Sequence, residues 1–313
     1  MFSVVIPYFN KAKYILRCLD SVCNQSFKNF EIIVVNDGST DGGLDEIIQK
    51  FQHKVTFLHQ KNLGVSAARN AGIKAAKFKY IAFLDADDCW HFQYFERIHF
   101  LIQNEENITI IGAHYDNNKK FLKHHLKQIS YFKFDNYFKS ALKNTYFTSS
   151  STVIAKSFFE NNESFNPNLK SGEDLDVWFR AVKSGGSAFY INQTMVFYSD
   201  EDQDQATKSK INLNDSLVGN IKNIYKNLLD NHENSDFNKF VSVYIYFNLY
   251  PYFYQKSSNL ESKNILNQIQ GRYFALHLVY VLPFWIGNKI VKSERLNHFL
   301  RLYLKFVIRY FYS

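Results

Sequence analysis

Only three cysteines, Cys18, Cys23 and Cys89, occur in the chain, and none forms a CxxC pair. That odd count argues against a disulfide framework or a structural zinc site and fits a reducing compartment. Long hydrophobic runs are missing too. The longest, Tyr273 to Gly287, contains His277 and Pro283 and falls short of a bilayer span. No GxGxxG follows the first apolar stretch, which argues against dinucleotide binding. No recognition helix or RNP-type strand accompanies the basic pI of about 9.1, so no nucleic-acid partner is expected. The chain enters a strand at Phe2, leaving no room for the charged and apolar regions of a signal peptide. The folded part is therefore expected in the cytoplasm.

What is present is the composition of a folded protein, with 46% hydrophobic and 21% charged residues. The formal charge of +8 is unevenly spread: from Gly271 to Ser313 there are seven Lys/Arg against one Glu. The tail carries the basicity.

Strand-like and helix-like stretches alternate through the first hundred residues, the pattern of a parallel sheet with crossover helices. Strands are expected at Phe2 to Pro7, Phe30 to Val35, Val55 to Leu58 and Tyr80 to Leu84. Asn10 is placed to cap a helix running to about Asn24, with Ile15, Leu19 and Val22 in its apolar stripe. Further helices are expected to Phe51, over Val65 to Lys77 and over Phe92 to Asn104, then a strand at Ile108 to His114. Residues 119 to 147, rich in Lys and aromatics, read as a solvated helical insertion or an acceptor-facing flap. Strands at Ser150 to Ala155, Phe189 to Ile191 and Thr194 to Tyr198, and a helix at Glu173 to Lys183 stopped by Gly185-Gly186, complete this part. The run Asp200-Glu201-Asp202-Gln203-Asp204-Gln205 reads as a boundary loop, beyond which the pattern turns helical.

The most informative segment is Phe83-Leu84-Asp85-Ala86-Asp87-Asp88, where an apolar strand runs into three carboxylates. Three acids within four residues repel one another and are costly to desolvate, so a hydrated Mg²⁺ or Mn²⁺ is one reading. A solvated acidic turn capping the next helix is the other.

Val4-Val5-Ile6-Pro7-Tyr8-Phe9-Asn10, Ile33-Val34-Val35-Asn36-Asp37-Gly38-Ser39-Thr40-Asp41, Asn62-Leu63-Gly64-Val65-Ser66-Ala67-Ala68-Arg69-Asn70, the acidic segment above and Ser171-Gly172-Glu173-Asp174-Leu175-Asp176-Val177-Trp178 closely resemble, in order, the motifs of glycosyltransferase family 2. The resemblance covers roughly residues 2 to 200. It implies an α/β GT-A (Rossmann-like) fold, with a mixed, mainly parallel sheet and flanking helices. The catalytic domain would span 1–205, divided near 105 into nucleotide-sugar and acceptor halves, with a helical C-terminal region over 206–313.

The resemblance further implies an inverting, metal-dependent transfer of a sugar from a nucleotide-diphosphate sugar, UDP-linked by expectation, to a hydroxyl of a glycan or lipid-linked glycan acceptor. A non-catalytic sugar-nucleotide or glycan-binding module on the same fold is the alternative. Asp37 would accept the N3 proton of uracil, or merely form an Asx-turn, and Pro7 and Tyr8 would wall the base pocket. Asn10, Asn62, Gly64 and Ala86 would also bind the donor. Arg69 would face the diphosphate, unless it is a surface Arg. Asp85 would contact ribose or sugar, and Asp87 would ligate the Mg²⁺ or Mn²⁺ that bridges the diphosphate. Asp174 would be the general base, with Glu173 and Trp178 on the acceptor, although capping suffices for Glu173 and core packing for Trp178. Many relatives carry a His after the last strand; here the segment is Tyr198-Ser199-Asp200-Glu201, and Asp200 or a water would take its place.

A helix from Lys292 to the end would set Lys292, Arg295, His298, Arg301, Lys305 and Arg309 beside a broad apolar face. Either that face packs on its own domain, or the helix lies on an anionic membrane surface, making the protein peripheral on the inner face of the cell membrane.

Overall fold

The computed structural model describes residues 1–201, 211–229, 235–269, 271 and 273–313. In chain order the elements are β1 (Phe2–Tyr8), α1 (Ala12–Cys23), β2 (Phe30–Asp37), α2 (Leu44–Phe51), β3 (Val55–Gln60), α3 (Val65–Ala75), β4 (Tyr80–Phe83), β5 (Cys89–Trp90), α4 (Tyr94–Asn104), β6 (Ile108–Asp116), β7 (Tyr131–Lys133), α5 (Tyr137–Ala141), β8 (Thr152–Ala155), α6 (Lys156–Asn161), α7 (Glu173–Lys183) and β9 (Ser187–Phe197). Helices follow: α8 (Leu217–Ile224), α9 (Lys226–Leu229), α10 (Ser235–Phe253), α11 (Asn259–Asn267), α12 (Phe274–His277), α13 (Phe284–Lys292) and α14 (Glu294–Val307). Two compact units result. The first comprises Met1–Asp135, Tyr146–Leu169 and the chain from Glu173 through β9; the second comprises Asn136–Thr145, Lys170–Gly172 and the C-terminal helices. The expected division near residue 205, and Asp202 to Gln205 of the acidic run, lie outside the described residues.

The first unit is built on one sheet of order β3-β2-β1-β4-β8-β6-β9-β5, with β7 paired to β9. The ladders β1–β2, β1–β4, β2–β3 and β6–β9 are parallel and long; β8 runs antiparallel between β4 and β6, and β5 and β7 pair antiparallel with β9. This is the mixed, mainly parallel α/β sheet expected. β1 at its centre is apolar on both faces, as a strand covered by helices on each side must be. α1 buries Tyr14, Ile15, Cys18, Leu19 and Val22 at helical spacing. α3 lies so close to the sheet that a Cβ on Gly72 would fall 2.3 Å from Val5 Cγ1.

Several boundaries differ from expectation. β2, β3 and β6 extend past their apolar cores because neighbouring strands continue to pair with the polar residues at their ends. The two-residue strand β5 was not expected; it is too short for any periodicity and exists only through β9. Residues 119–147 are no helical insertion: they hold a 3-10 turn at Lys119–Lys123, β7 and α5, and contribute to both units. Asn10 does not cap α1. It stands at φ 51° and its Oδ1 accepts the Thr40 amide at 2.8 Å, while Asp41 Oδ2 accepts the Ala12 amide at 2.7 Å and so caps the helix from a distant loop.

In the second unit, α10 buries residues on all sides, including Phe237, Val243, Tyr246 and Leu249. Phe138 of α5 meets the ring of Phe237 at 4.8 Å. The single helix expected from Lys292 is two helices, because α13 stops at Lys292 and Ser293 Oγ accepts the Leu296 amide at 3.4 Å to begin α14.

Candidate active site

The segments after β1, β2, β3 and β4 emerge at the carboxyl ends of four mutually parallel strands, the edge at which open α/β sheets hold ligands. Asp37, the last residue of β2, ties the end of that strand to the segment after β3. Its Oδ1 accepts Gln60 Nε2 at 2.7 Å and the Leu63 amide at 2.9 Å, and its Oδ2 accepts the Gly64 amide at 2.9 Å. The carboxylate is buried and keeps one lone pair on Oδ2 for a further donor. Gly38 turns the chain at φ +73°, and a Cβ there would lie 2.8 Å from the Asn62 amide, so only glycine lets the two loops approach. Asn10, Asn62 and Gly64 are exposed on this edge and Pro7 is half-buried.

Tyr8 does not wall a base pocket. It is 0% exposed, and its hydroxyl donates to Asp41 Oδ1 at 2.9 Å; burial and that bond push its pKa up. The exposed ring is Phe9, at 42%. Side chains alternate across a strand, so moving one residue along the motif exchanges an inward ring for an outward one.

Arg69 also differs from expectation. It is 3% exposed, with Nη2 2.9 Å from Asp85 Oδ1 and Nη1 3.1 Å from Glu173 Oε1, and its guanidinium lies 5.2 Å from the Phe165 ring centroid. Burial works against its charge, but Asp85, Glu173 and Asp174 outweigh burial and raise its pKa. Both arms are committed, so Arg69 is a buried brace joining the loop after β4 to the start of α7 and presents no face to a diphosphate. Glu173 is spent on Arg69 in the same way. Trp178 is 0% exposed and packs on Phe83 and Phe165, each at 5.9 Å, so it belongs to the core and cannot stack on an acceptor.

The three carboxylates after β4 have different partners. Asp88 is buried: its Oδ2 accepts Ser150 Oγ at 2.5 Å and its Oδ1 accepts the Ser199 amide at 2.8 Å, while Ser150 Oγ accepts the Asp85 amide at 3.0 Å. It fixes the loop. Burial, then the charges of Asp85 and Asp87, raise its pKa well above the usual carboxylate range. Asp87 is also raised, by burial first and Asp85 second, against the pull of Lys11 Nζ 3.0 Å from its Oδ2. Ala86 between them is buried and can meet a donor only through its backbone. Asp85 is the most open of the three, its side chain 32% exposed. Asp174, at the start of α7, is pushed up to about 7 by burial and then by the charge of Glu173, with Arg69 opposing.

In the segment after β9, Ser199 Oγ accepts Arg17 Nη2 at 2.7 Å, and the same nitrogen donates to the Asp87 carbonyl at 2.8 Å. Glu201 bridges Arg17 and Lys119, which bring it down to about 2. Asp200 is exposed. Lys11, Arg17, Asp41, Ser150 and Ser199 carry no local pattern that sequence reading could catch; each matters through a contact across tens of residues.

Among the described residues, no group of three His, Cys, Asp or Glu side chains is placed to hold a metal ion. Asp88 has both oxygens engaged, which leaves Asp85 and Asp87 as hard oxygen donors. Two carboxylates are the partial shell that Mg²⁺ or Mn²⁺ takes when phosphate oxygens and waters supply the rest.

The family model described as glycosyl transferase family 2 matches residues 3–162. An uncharacterized glycosyltransferase of Rickettsia bellii is 32% identical over 213 residues, 66% of this chain and 30% of its own length. The putative teichuronic acid biosynthesis glycosyltransferase TuaG of Bacillus subtilis is 29% identical over 206 residues, 63% of this chain and 77% of its own. The match thus covers under a third of the R. bellii relative. Among solved structures, S. aureus TarS in complex with UDP-GlcNAc has a TM-score of 0.69 at 18% identity, covering 98% of this chain and 89% of that one. That likeness is one of fold.

Proposed function

The chain belongs to glycosyl transferase family 2, and from that premise we propose that it transfers a sugar, with inversion, from a nucleotide-diphosphate sugar to a hydroxyl of a cell-surface glycan acceptor. The observation that carries this reading is the convergence on Arg69 of Asp85 from the loop after β4 and Glu173 from the start of α7. That brace holds Asp174, the neighbour of Glu173, in the same cluster as the aspartates expected to meet the donor. A carboxyl poised at about 7 is matched to removing a proton from an alcohol as it attacks.

In this reading Asp174 accepts the hydroxyl proton while the attacking oxygen bonds to the anomeric carbon and the bond to the diphosphate breaks. One base facing one leaving group implies a single in-line displacement. Asp87, with Asp85, would hold Mg²⁺ or Mn²⁺, which as a Lewis acid neutralises charge on the departing diphosphate. The remaining lone pair of Asp37 would take the imide proton of a uracil, and exposed Phe9 would lie along the base. A UDP-linked donor is supported by TarS, solved with UDP-GlcNAc, and a cell-surface glycan acceptor by the similarity to TuaG, a putative teichuronic acid biosynthesis glycosyltransferase. Screening UDP-sugars for slow hydrolysis with Mn²⁺ tests the donor. Asp174→Asn should retain donor binding and lose transfer; unchanged turnover would refute the assignment.

A further inference from the structure

The second unit exposes more large apolar side chains than a water-facing surface needs, and they follow a pattern. On α14, at about 100° per residue, Leu304 and Val307 face inward and are buried. Leu296, Phe299, Leu302, Tyr303 and Phe306 are all exposed and fall together within about a third of the circumference. Arg301, Lys305 and His298 occupy the sector between, with Arg295 among the exposed apolar positions. The helix therefore has three faces: one packed on its own unit, one basic, and one apolar face that the described residues leave largely open.

The preceding segment repeats the theme. Phe274–Tyr280 and Phe284–Lys292 form an apolar pair bent by 92°, while no single described helix is long and apolar enough to cross a membrane. Phe274, Leu278, Val281 and Trp285 on this bend are exposed, Trp285 by 70%. The bend is tied to α14: Tyr303 Oη donates to the Ala275 carbonyl at 3.0 Å, and the Ala275 amide donates to Tyr312 Oη at 3.1 Å.

We infer that α12, α13 and α14 form a docking surface for an anionic lipid monolayer, with the bend as a shallow apolar wedge and α14 lying in the interfacial plane. A second copy of the chain fits less well. A two-fold pairing would bring each basic rim against its own copy, and residues 271–313 offer Glu294 as their single acid against seven Lys/Arg. Anionic headgroups would meet the exposed Arg295 and Lys305, and acyl chains would take up the apolar side chains. The inference deepens the proposed function by supplying a surface on which a lipid-linked acceptor would be met.

The test is flotation of the full chain with vesicles of phosphatidylcholine alone or with about a third phosphatidylglycerol, read alongside tryptophan emission. Trp90 and Trp178 are buried, so a blue shift on vesicle addition reports Trp285. The full chain should float with the anionic vesicles, lose most binding at high salt, and show the shift. Arg295→Gln with Lys305→Gln should weaken binding about fivefold per charge. Phe299→Ser with Phe306→Ser should abolish the residual, salt-resistant part, and all variants should keep the wild-type melting temperature and donor hydrolysis. Absence of anionic-vesicle binding by a folded full chain would overturn the inference, as would wild-type binding by both double variants. A lipid-free dimer broken by the Phe299/Phe306 changes would overturn it in favour of self-association. Loss of donor hydrolysis in the full chain itself would count against the proposed function instead.

Discussion

The ammonium of Lys11 lies 3.0 Å from Oδ2 of Asp87, beside a carboxylate proposed to hold a divalent cation. A cation bound there as proposed would have to compete with that charge. Lys11→Met should therefore tighten Mn²⁺ binding by the donor-free protein about tenfold, an estimate for one partly buried like charge removed. Titration of the free-Mn²⁺ paramagnetic resonance signal measures it; an unchanged affinity would mean that Asp87 is not the cation's ligand.

Arg69 is costly to replace. Its two arms pair with Asp85 and Glu173, and Arg69→Met would leave both carboxylates partly buried and uncompensated. Breaking such a pair from one side costs about 3–5 kcal/mol. Chemical denaturation should show a loss of that order, with most of it persisting in Arg69→Lys, which keeps the charge but not the two-armed geometry.

Asp174 couples activity to stability with opposite signs. Its folded pKa of about 7 lies above the unfolded value of about 3.9, so the fold favours the protonated acid. The stability this contributes is complete below about pH 4 and is lost as pH rises through about 7. With Asp174 as the proposed base, transfer would need its ionised form and should rise with pH across that range. Asp174→Asn should remove the titration, keep its stability at pH 8, and reduce transfer by about 10²–10⁴-fold. Glu173→Gln removes the charge that helps hold Asp174 up, and the rising limb of the pH–rate profile should move to lower pH.

Much of this arrangement is legible in the chain because strand ends announce themselves: Phe83 passes to Asp85, and Val35 to Asp37, where apolar alternation gives way to loop chemistry. α7 runs from Glu173 to Lys183, as its acidic first turn and following glycines predict. The direction in which a side chain points is harder to read. Arg69 and Trp178 stand in motifs that suggest ligands, yet both turn inward, and no local pattern separates the inward from the outward face of a short helix covered on one side. Likewise Asp41 caps α1 across a gap of 29 residues, a relationship visible only once β1 and β2 are paired. Trp178→Phe makes the distinction measurable: it should lower stability by about 1–3 kcal/mol through lost packing and leave the acceptor KM unchanged.

The pair Tyr8 and Phe9 gives the sharpest test of orientation, because one step along the strand separates a structural ring from a surface one. Tyr8→Phe removes only the hydroxyl that holds Asp41, so it should cost about 1 kcal/mol of stability and barely alter donor KM. Phe9→Ala deletes an exposed ring, so the fold should be unaffected. Base stacking on an aromatic contributes about 1–3 kcal/mol, and donor binding should therefore weaken by about 5- to 150-fold while the melting temperature stays put. Isothermal titration with UDP, which carries the base without the sugar, separates the two. If Tyr8→Phe weakened UDP and Phe9→Ala did not, the base would lie on the other side of the strand, and the donor site drawn at this sheet edge would have to be rebuilt around Tyr8.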